Sequence, residues 1–554
     1  MPQAVIGAGA AGLVSVRELL KEGHQVIGFE QGPTPGGVWV YDTATDSDLL
    51  GASPTRRKVH GSMYRDLRTN LPRELMGFSD LPFTPATMGG ASRTPAASAA
   101  TERRVLAAAV TLCAGLGGVL AYLQMFADMH QLHQHVQFNT QVLQAVPMPA
   151  AAGSSTAQNS NASSTANGSS SSGAATKWQV QSVRLGPDGQ AEQQPQQQEF
   201  DAVVVANGHY SQPNLPDVPG AASWPGLQMH SHNYRVPEAF KDQVVVVVGA
   251  SNSGEDVCRE VSEVASSVII AARSWKSPAW GSDPRPFGPK ANVSRRGMVS
   301  QLHPDGRVEF TEGNCNSSDA QGIALLRAGV VIYCTTTRTP CLAVPGVAMR
   351  LLQGPALQHA DAIIYCTGYR YKFSFLEQHA DTARLSGQQH VPGLYRHMFV
   401  PQIGPSLAFV GLPWKIVPFP QFELQAKLIA RLLSGRACLP SVADMEADTA
   451  AHYAQLQAEG APLRYCHMMS EQQWAFNDWL ADAAGPDVAK LPAWRPAMYA
   501  STGANKRAHP DGYRDRWEDA DSAAEAEAEL AALTARLKAK HPAAAAASAA
   551  ALAS

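Results

Sequence analysis

Cysteine is sparse and never closely paired. The 8 cysteines of this 554-residue chain lie at 113, 258, 315, 334, 341, 366, 438 and 466, with no Cys-x-x-Cys among them. That spacing argues against a disulfide framework, a zinc site and a dithiol redox centre, and it makes a reducing cytoplasm the expected compartment. An excess of one charge is also missing. With 44 basic and 47 acidic residues the net charge is −3, so no basic field invites nucleic acid or anionic lipid. Gly7 opens a motif so early that a leader peptide is not expected before it. Long apolar runs are few. Val105 to Leu123 goes 19 residues without a charge, with Arg103 and Arg104 as a basic flank, which is the length of a membrane span. Gly115, Gly117 and Gly118 interrupt it, and from Val119 to Ala127 it reads as a core helix. Membrane association is therefore not expected. No Ser-His-Asp set, carboxylate pair or metal cluster is recognisable.

What the chain does have is a dinucleotide-binding start. A short apolar run, Ala4-Val5-Ile6, meets Gly7-x-Gly9-Ala10-Ala11-Gly12. A helical pattern through Leu13, Val16, Leu19 and Leu20 ends at Gly23, and a second apolar stretch closes on Glu30. Gly7 suits the tight turn off a strand, Gly9 lets backbone approach a pyrophosphate, and Gly12 lets helix and strand pack closely. The helix N-terminus offers N–H groups and a positive dipole end to phosphate. Glu30 falls where a carboxylate accepts hydrogen bonds from ribose hydroxyls. Gly36-Gly37-Val38-Trp39 makes a second close-approach turn carrying an aromatic. The first strand has room for only about four residues, short for a central one.

At 554 residues the chain exceeds one hydrophobic core and implies two or three domains. Residues 64 to 83 are aromatic, proline-rich and amide-bearing, and read as a loop walling a pocket, with a plain long connection as the other possibility. Residues 149 to 176 carry Ser, Ala, Asn, Gly and Thr without apolar periodicity, a disordered insert. Lys177 to Leu185 and Glu199 to Val205 resemble strands, and prolines 213, 216 and 219 mark a linker. Val244 to Val248 is an unbroken β-branched run, as in a strand buried on both faces. It meets Gly249-x-Ser251-Asn252-Ser253-Gly254, a helix to about Val264, and a strand ending at Arg273. The acid of the first module and Arg273 of the second lie at nearly the same distance beyond the last glycine. A carboxylate there suits a free 2′-hydroxyl and a guanidinium suits a 2′-phosphate, which points to FAD in the first module and NADPH in the second. Residues 278 to 337 read as irregular. Ala362 to Tyr365 reads as a return strand before Cys366-Thr367-Gly368-Tyr369, Leu407 to Gly411 as another strand, and Phe422 to Leu433 as a helix ended by Gly435.

Between the modules lies Trp224-x-Gly226-x-x-x-His230-x-x-x-Tyr234-Arg235. With both glycine motifs in place, the chain resembles the flavin-containing monooxygenases, whose identifying pattern is an aromatic, Gly, His and Tyr at this spacing. Trp224 stands where Phe is more usual. Thr69-Asn70-Leu71-Pro72-Arg73-Glu74, His230 to Arg235, Cys366 to Tyr369 and Val410-Gly411-Leu412-Pro413-Trp414-Lys415 also match, most closely the plant S-oxygenating, glucosinolate S-oxygenase-like subgroup. The match covers most of 3–83, 118–146, 200–310 and 361–517. Stretches 84–117, 149–176 and about 313–358 match nothing in the family.

The resemblance implies an α/β fold of two Rossmann-like domains, the NADPH domain (214–360) inserted in the FAD domain (1–213 and 361–480), with disordered insertions and a partly disordered C-terminal extension (481–554). It implies an N,N-dimethylaniline-type or S-oxygenating monooxygenase. NADPH reduces FAD, the reduced flavin takes up O2 as a C4a-hydroperoxide, and a small substrate's sulfur or nitrogen attacks the distal oxygen. It places Asn70 beside the flavin as the catalytic amide, with Thr69, Thr367 and Gly368 at the cofactors. NADP+ stays bound, so Ser251, Ser253 and Arg273 serve coupling as well as reduction. For His230 a structural hydrogen-bonder between domains is favoured over a catalytic acid. Three rivals share the two-module plan. A pyridine-nucleotide disulfide reductase needs a cysteine pair near the flavin, and no cysteine precedes Cys113. A Baeyer–Villiger enzyme would carry Trp in place of Tyr234-Arg235. Auxin-forming relatives, which act on an α-keto acid, keep the same nucleotide motifs. A further reading is a flavin-binding protein that no longer turns over. Deleting 149–176 should leave FAD content unchanged, because the tract has no core-forming residues; flavin absorbance of the purified variant checks this, and loss of colour refutes the disorder reading.

Overall fold

The computed structural model describes residues 2–84, 116–148, 176–187, 189–275, 285–311, 356–510, 512–515 and 520–540. The expected disordered tract at 149–176 falls almost wholly outside them, as do the first half of the 105–123 run and nearly all of 313–358. The chain divides into two compact units. The first comprises Met1–Tyr41, Asp66–Gln212 and Arg370–Ser554, and the second Asp42–Arg65 and Pro213–Tyr369.

In chain order, the elements that position the candidate site begin with β1 (Gln3–Ile6), α1 (Ala10–Lys21), β2 (Val26–Phe29), α2 (Arg73–Met76), α3 (Leu116–Met129), β3 (Val136–Gln137) and β4 (Ala202–Val205). There follow β5 (Leu227–His230), β6 (Val244–Val248), α4 (Asn252–Ser262), β7 (Ser267–Ala271), β8 (Val293–Arg296) and β9 (Ala362–Tyr365). The last are β10 (Leu407–Phe409), α5 (Pro418–Leu433), α6 (Trp494–Ala508) and α7 (Ala520–Lys540).

The first unit is built on a five-stranded sheet in the order β10-β4-β1-β2-β3, every pair parallel. Its middle strand β1 has only four residues, as the sequence implied, and all four are buried. β4 (Ala-Val-Val-Val) is likewise buried throughout, the composition of a strand covered on both faces. The stretch Glu199 to Val205, read as one strand, is two. Gln196–Phe200 pairs antiparallel with Trp178–Arg184 in a separate sheet, whose third strand is Thr140–Pro147, and β4 begins after Asp201. The alternating polar residues belong to the half-exposed antiparallel sheet and the continuous valines to the buried parallel one.

α3 confirms the core reading of the apolar run. Val119, Tyr122, Leu123 and Phe126 share a helical stripe and are fully buried. The Tyr122 hydroxyl donates to Leu81 O at 2.6 Å and accepts from the Phe78 N–H at 2.8 Å, pinning the end of the 64–83 loop to the core. Among the described residues no helix is long and apolar enough to cross a membrane.

A buried ion network joins α1, this loop and α5. Arg17, 2% exposed, lies 2.7 Å from Glu18, 3.0 Å from Glu423 of α5, and against Asp80. Glu423 also accepts from the Ser79 N–H at 2.8 Å and from Lys427 at 2.7 Å. Burial would raise both carboxyls. At Asp80 the nearby His130, 3.4 Å away, and the Arg17 charge outweigh it, and at Glu423 the Lys427 and Arg17 charges do; both are held below the usual range.

The second unit repeats the plan, with a parallel sheet in the order β8-β7-β6-β9-β5. Again the strand before the glycine turn is the middle one, and the return strand β9 lies beside it. The region read as irregular, 278 to 337, holds β8 and the strands Val299–Leu302 and Arg307–Phe310, which form a small antiparallel sheet with Ala356–His359. Its strands are four residues long and carry Arg295, Arg296, Arg307 and Glu309, so their charge masked the short alternation of Val308 and Phe310, which alone are buried in Arg307–Phe310.

Because both acids are depressed, their contribution is present above the unfolded carboxylate range near pH 4 and is lost as pH falls below about 4. Arg17→Met should therefore cost about 3–5 kcal/mol at pH 7 by leaving buried carboxylates uncompensated, and should flatten the acid dependence. Urea unfolding between pH 3 and 7 measures both; a steep acid dependence retained in Arg17→Met would contradict the assignment.

Candidate functional site

Each parallel sheet ends in the same backbone device. In the first unit Gly7 has φ +106°, and a Cβ there would sit 2.5 Å from Ala206 O at the end of β4. A Cβ on Gly12 would overlap the Gly7 carbonyl oxygen. In the second unit Gly249 has φ +113° and is blocked by Cys366 O at the end of β9, while Gly254 is blocked by the Gly249 oxygen. The four glycines thus let strand, helix and return strand meet at the C-terminal edge of the sheet, the switch point where nucleotides bind in such folds. Helix α1 is capped by Gly9, which has no side chain to engage its first N–H groups, and Ala10 and Ala11 open it. Those N–H groups suit an anion.

The rest of the first site closes around this turn. Gly37 faces Gly9 so closely that a Cβ on Gly37 would stand 2.8 Å from Gly9 Cα. Gly36 N–H donates to Ala8 O at 3.0 Å and leads into the single turn Gly37–Trp39, which carries Val38. The Ala8 N–H in turn donates to Glu30 Oε2, and the Gly32 N–H to Oε1, each at 2.8 Å. Glu30 is thereby fixed at the end of β2. Each of its oxygens keeps a second lone pair for a hydroxyl. Burial raises its pKa against the pull of these N–H groups.

In the second unit Ser251 caps α4, and Ser251, Asn252 and Ser253 are all exposed on its first turn. Arg273, also exposed, lies two residues beyond β7. Thr367 and Gly368 follow β9. The Thr367 hydroxyl donates to Asn214 O at 2.6 Å and Gly368 O accepts from the Asn214 N–H at 2.9 Å, so these two residues hold the irregular segment around Asn214 in place.

The aromatic-Gly-His-Tyr-Arg motif proves to be a clamp. A Cβ on Gly226 would run into the Trp224 ring and lie 2.7 Å from Asp361 O, which is why the glycine accompanies the aromatic. His230 is fully buried, its Nδ1 accepts from the His232 N–H, and burial with the neighbouring His232 lowers its pKa to about 3. A ring neutral at pH 7 fits a structural role, but this hydrogen bond runs within the second unit, where one between domains was expected. Asn233 accepts from the Asp46 N–H and donates to Leu49 O. Tyr234 donates to Glu260. The Arg235 guanidinium donates to the carbonyls of Asp42, Ala44, Gly61, His232 and Tyr234 at 2.7–3.1 Å. Segment 42–65 is held on the second unit by this fan of donors and by Asp46. Burial would raise that carboxyl, yet nearby His232, 3.7 Å away, and hydrogen bonds from the Val59 N–H and Arg56 bring it down to about 2.

In the first unit the 64–83 loop is largely irregular, as read, with α2 as its one helical turn. Thr69 is buried and its hydroxyl donates to Leu71 O. Asn70 Oδ1 accepts from the Tyr513 hydroxyl at 2.7 Å and from Arg514 Nη2 at 2.5 Å. Arg495 of α6 donates to Leu75 O and Gly77 O. Leu75, Val417, Trp494, Met498, Ala526 and Leu530 form one apolar cluster beneath the loop. Tyr513 and Arg514 lie more than four hundred residues from Asn70, and no spacing in the sequence pointed to them.

Among the described residues one group of potential metal ligands gathers, His397, His452 and Cys466, drawn from three separate segments. The Val391 N–H donates to His467 Nε2, so that ring carries its proton on Nδ1 and gives it to His397 Nδ1. The His397 proton therefore sits on Nε2, and because the chain starts at a backbone N–H that can only donate, the ring has no free lone pair to offer a metal.

These features can be set beside known proteins. The FMO-like family, flavin-binding monooxygenase-like, matches residues 2–87, 117–280 and 343–488. Flavin-containing monooxygenase FMO GS-OX-like 4 of Arabidopsis thaliana is 38% identical over 512 residues, 92% of this chain and 93% of that protein. FMO GS-OX5 of the same plant is 37% identical over 483 residues, 87% of this chain and 84% of that one. The solved S-allyl-L-cysteine S-oxygenase from Allium sativum has a TM-score of 0.73 at 34% identity, covering 96% of this chain and 98% of its own. Tmm from Pelagibacter sp. strain HTCC7211, at 21% identity and a TM-score of 0.65 over 93% of each chain, shares the fold. The uncapped α1 N-terminus, the Gly9–Gly37 approach and the fixed Glu30 fit the flavin dinucleotide that this family carries. The chain belongs to the flavin-binding monooxygenase-like family, and is an FAD- and NADPH-dependent monooxygenase built from two Rossmann-like dinucleotide-binding domains.

Proposed function

We propose that this enzyme is an S-oxygenase that transfers one atom of O2 to the sulfur of a small thioether. The observation that carries sulfur over nitrogen is the Allium sativum enzyme, an S-oxygenase by name, whose match extends over nearly the whole of both chains. Oxidative decarboxylation of an α-keto acid is not favoured, since the GS-OX proteins and the S-oxygenase match nearly the full chain. The same coverage, with both glycine cradles intact, speaks against a flavin-binding protein that has lost turnover. We place the enzyme in the cytoplasm, where the buried thiols of Cys258, Cys366 and Cys466 stay reduced.

Bound FAD supplies the chemistry, accepting hydride from NADPH and activating O2. The chain's residues bind, orient and exclude water. Gly7, Gly9, Ala10, Ala11 and Gly12 set the α1 N–H groups against the FAD pyrophosphate, and Glu30 accepts from its ribose hydroxyls. Gly37, Val38 and Trp39 close over the same turn, and Thr69 and Asn70 lie beside the flavin. Gly249, Ser251, Asn252, Ser253 and Gly254 receive NADPH on the α4 N-terminus, and Arg273 takes its 2′-phosphate as a charge-assisted pair. Thr367 and Gly368 shape this second site through Asn214. The oxygen balance is one thioether, one O2, one NADPH and one proton giving sulfoxide, NADP+ and water.

Two outcomes follow. With a dialkyl thioether the enzyme should form one sulfoxide per NADPH consumed, measured by mass spectrometry beside NADPH absorbance; faster oxygenation of a tertiary amine would reverse the assignment to sulfur. Arg273→Ala should weaken NADPH roughly tenfold to a hundredfold, the size of a lost charged hydrogen bond, and leave NADH nearly unchanged. Equal losses for both nucleotides in steady-state titrations would remove the 2′-phosphate role.

A further inference from the structure

The amide of Asn70 is captured on one side only. Tyr513 and Arg514 both direct hydrogen-bond donors at it, at 2.7 and 2.5 Å. A guanidinium has no acceptor, so the atom it faces must be the amide oxygen, and the usual ambiguity of an asparagine flip is resolved by chemistry. Two donors also match the two lone pairs of that oxygen. Both donors are firmly seated, Tyr513 at 3% and Arg514 at 8% exposure. Arg514 reaches the loop twice, its Nε donating to Thr69 O at 3.2 Å. Arg68 returns the grip, donating to Arg514 O and pairing with both oxygens of Asp515. Residues 513–515 and 68–70 are therefore buckled together by six hydrogen bonds.

We infer that Tyr513 and Arg514 are positioning residues that lock Asn70 as a pure hydrogen-bond donor, with Nδ2–H2 as the face it presents for catalysis. The inference rests on the reading of Asn70 as the amide beside the flavin and narrows it. A free asparagine can donate or accept, whereas this one can only donate, and polarisation by Arg514 strengthens its N–H groups. Such a donor suits developing negative charge on activated oxygen.

The test uses the full-length, FAD-loaded enzyme and three substitutions. Asn70→Ala removes the amide. Asn70→Asp keeps an acceptor for Tyr513 and Arg514 but has no N–H. Tyr513→Phe combined with Arg514→Met removes the buckle. H2O2 formed per NADPH reports coupling, flavin absorbance reports FAD content, and urea unfolding of FAD-free protein reports the contacts themselves. Asn70→Asp should bind FAD and unfold at wild-type urea or higher, yet leak H2O2 as Asn70→Ala does. The Tyr513/Arg514 variant should raise the leak roughly tenfold, the scale of a lost charged hydrogen bond, and add nothing further in an Asn70→Ala background. In urea the same cycle should be non-additive. Normal coupling in Asn70→Asp, or additive leaks, would overturn the inference while leaving Asn70 at the flavin. No leak in Asn70→Ala would instead remove Asn70 from the flavin, and the positioning role with it, even where the urea cycle still shows the contact.

Discussion

Everything in this protein depends on backbone approaching backbone at the ends of two parallel sheets. At Gly7 and Gly12, and again at Gly249 and Gly254, a single added carbon would collide with a carbonyl oxygen of the turn or of the return strand. The constraint is steric and absolute, unlike a hydrogen bond that can lengthen. It brings a helix N-terminus without side-chain caps to the C-terminal edge of the sheet, where N–H groups and the helix dipole suit the charge of a phosphate.

Oriented backbone needs support, and long-range polar contacts supply it. In the second unit Arg235 gathers five carbonyls, and Asp46 holds His232, Arg56 and the Val59 N–H. In the first unit Arg17 joins α1 to Asp80 and Glu423, and Arg495 holds the 64–83 loop from below. These arginines are almost wholly buried. A buried guanidinium surrounded by carbonyls or carboxylates fixes geometry because any displacement leaves unpaired groups in a poor solvent. The motif that identifies the family is thus a structural clamp, and its histidine is neutral at working pH.

Local pattern carried a great deal here. The strand–glycine–helix–strand modules, the core stripe of α3 and the return strand β9 were all readable, since each expresses a periodicity or a steric demand within a few residues. Reading failed where the decisive neighbour was distant or the signal short. The apparent continuity from Glu199 to Val205 misled: Phe200 and Ala202 sit in different sheets although only Asp201 separates them. The strands of 293–310 escaped notice because charge filled their exposed positions. Tyr513 and Arg514 gave no hint of Asn70, and His397, His452 and Cys466 gave none of each other.

Sequence alone made the two cradles, the cofactors and the family legible, because glycine spacing and the motif between the modules are local patterns. Tertiary structure decided which atom of Asn70 is held, which carboxylates surround Arg17 and what the family motif clamps. Those outcomes depend on which distant side chains share a buried volume, and burial is a property of the folded whole that no short stretch contains.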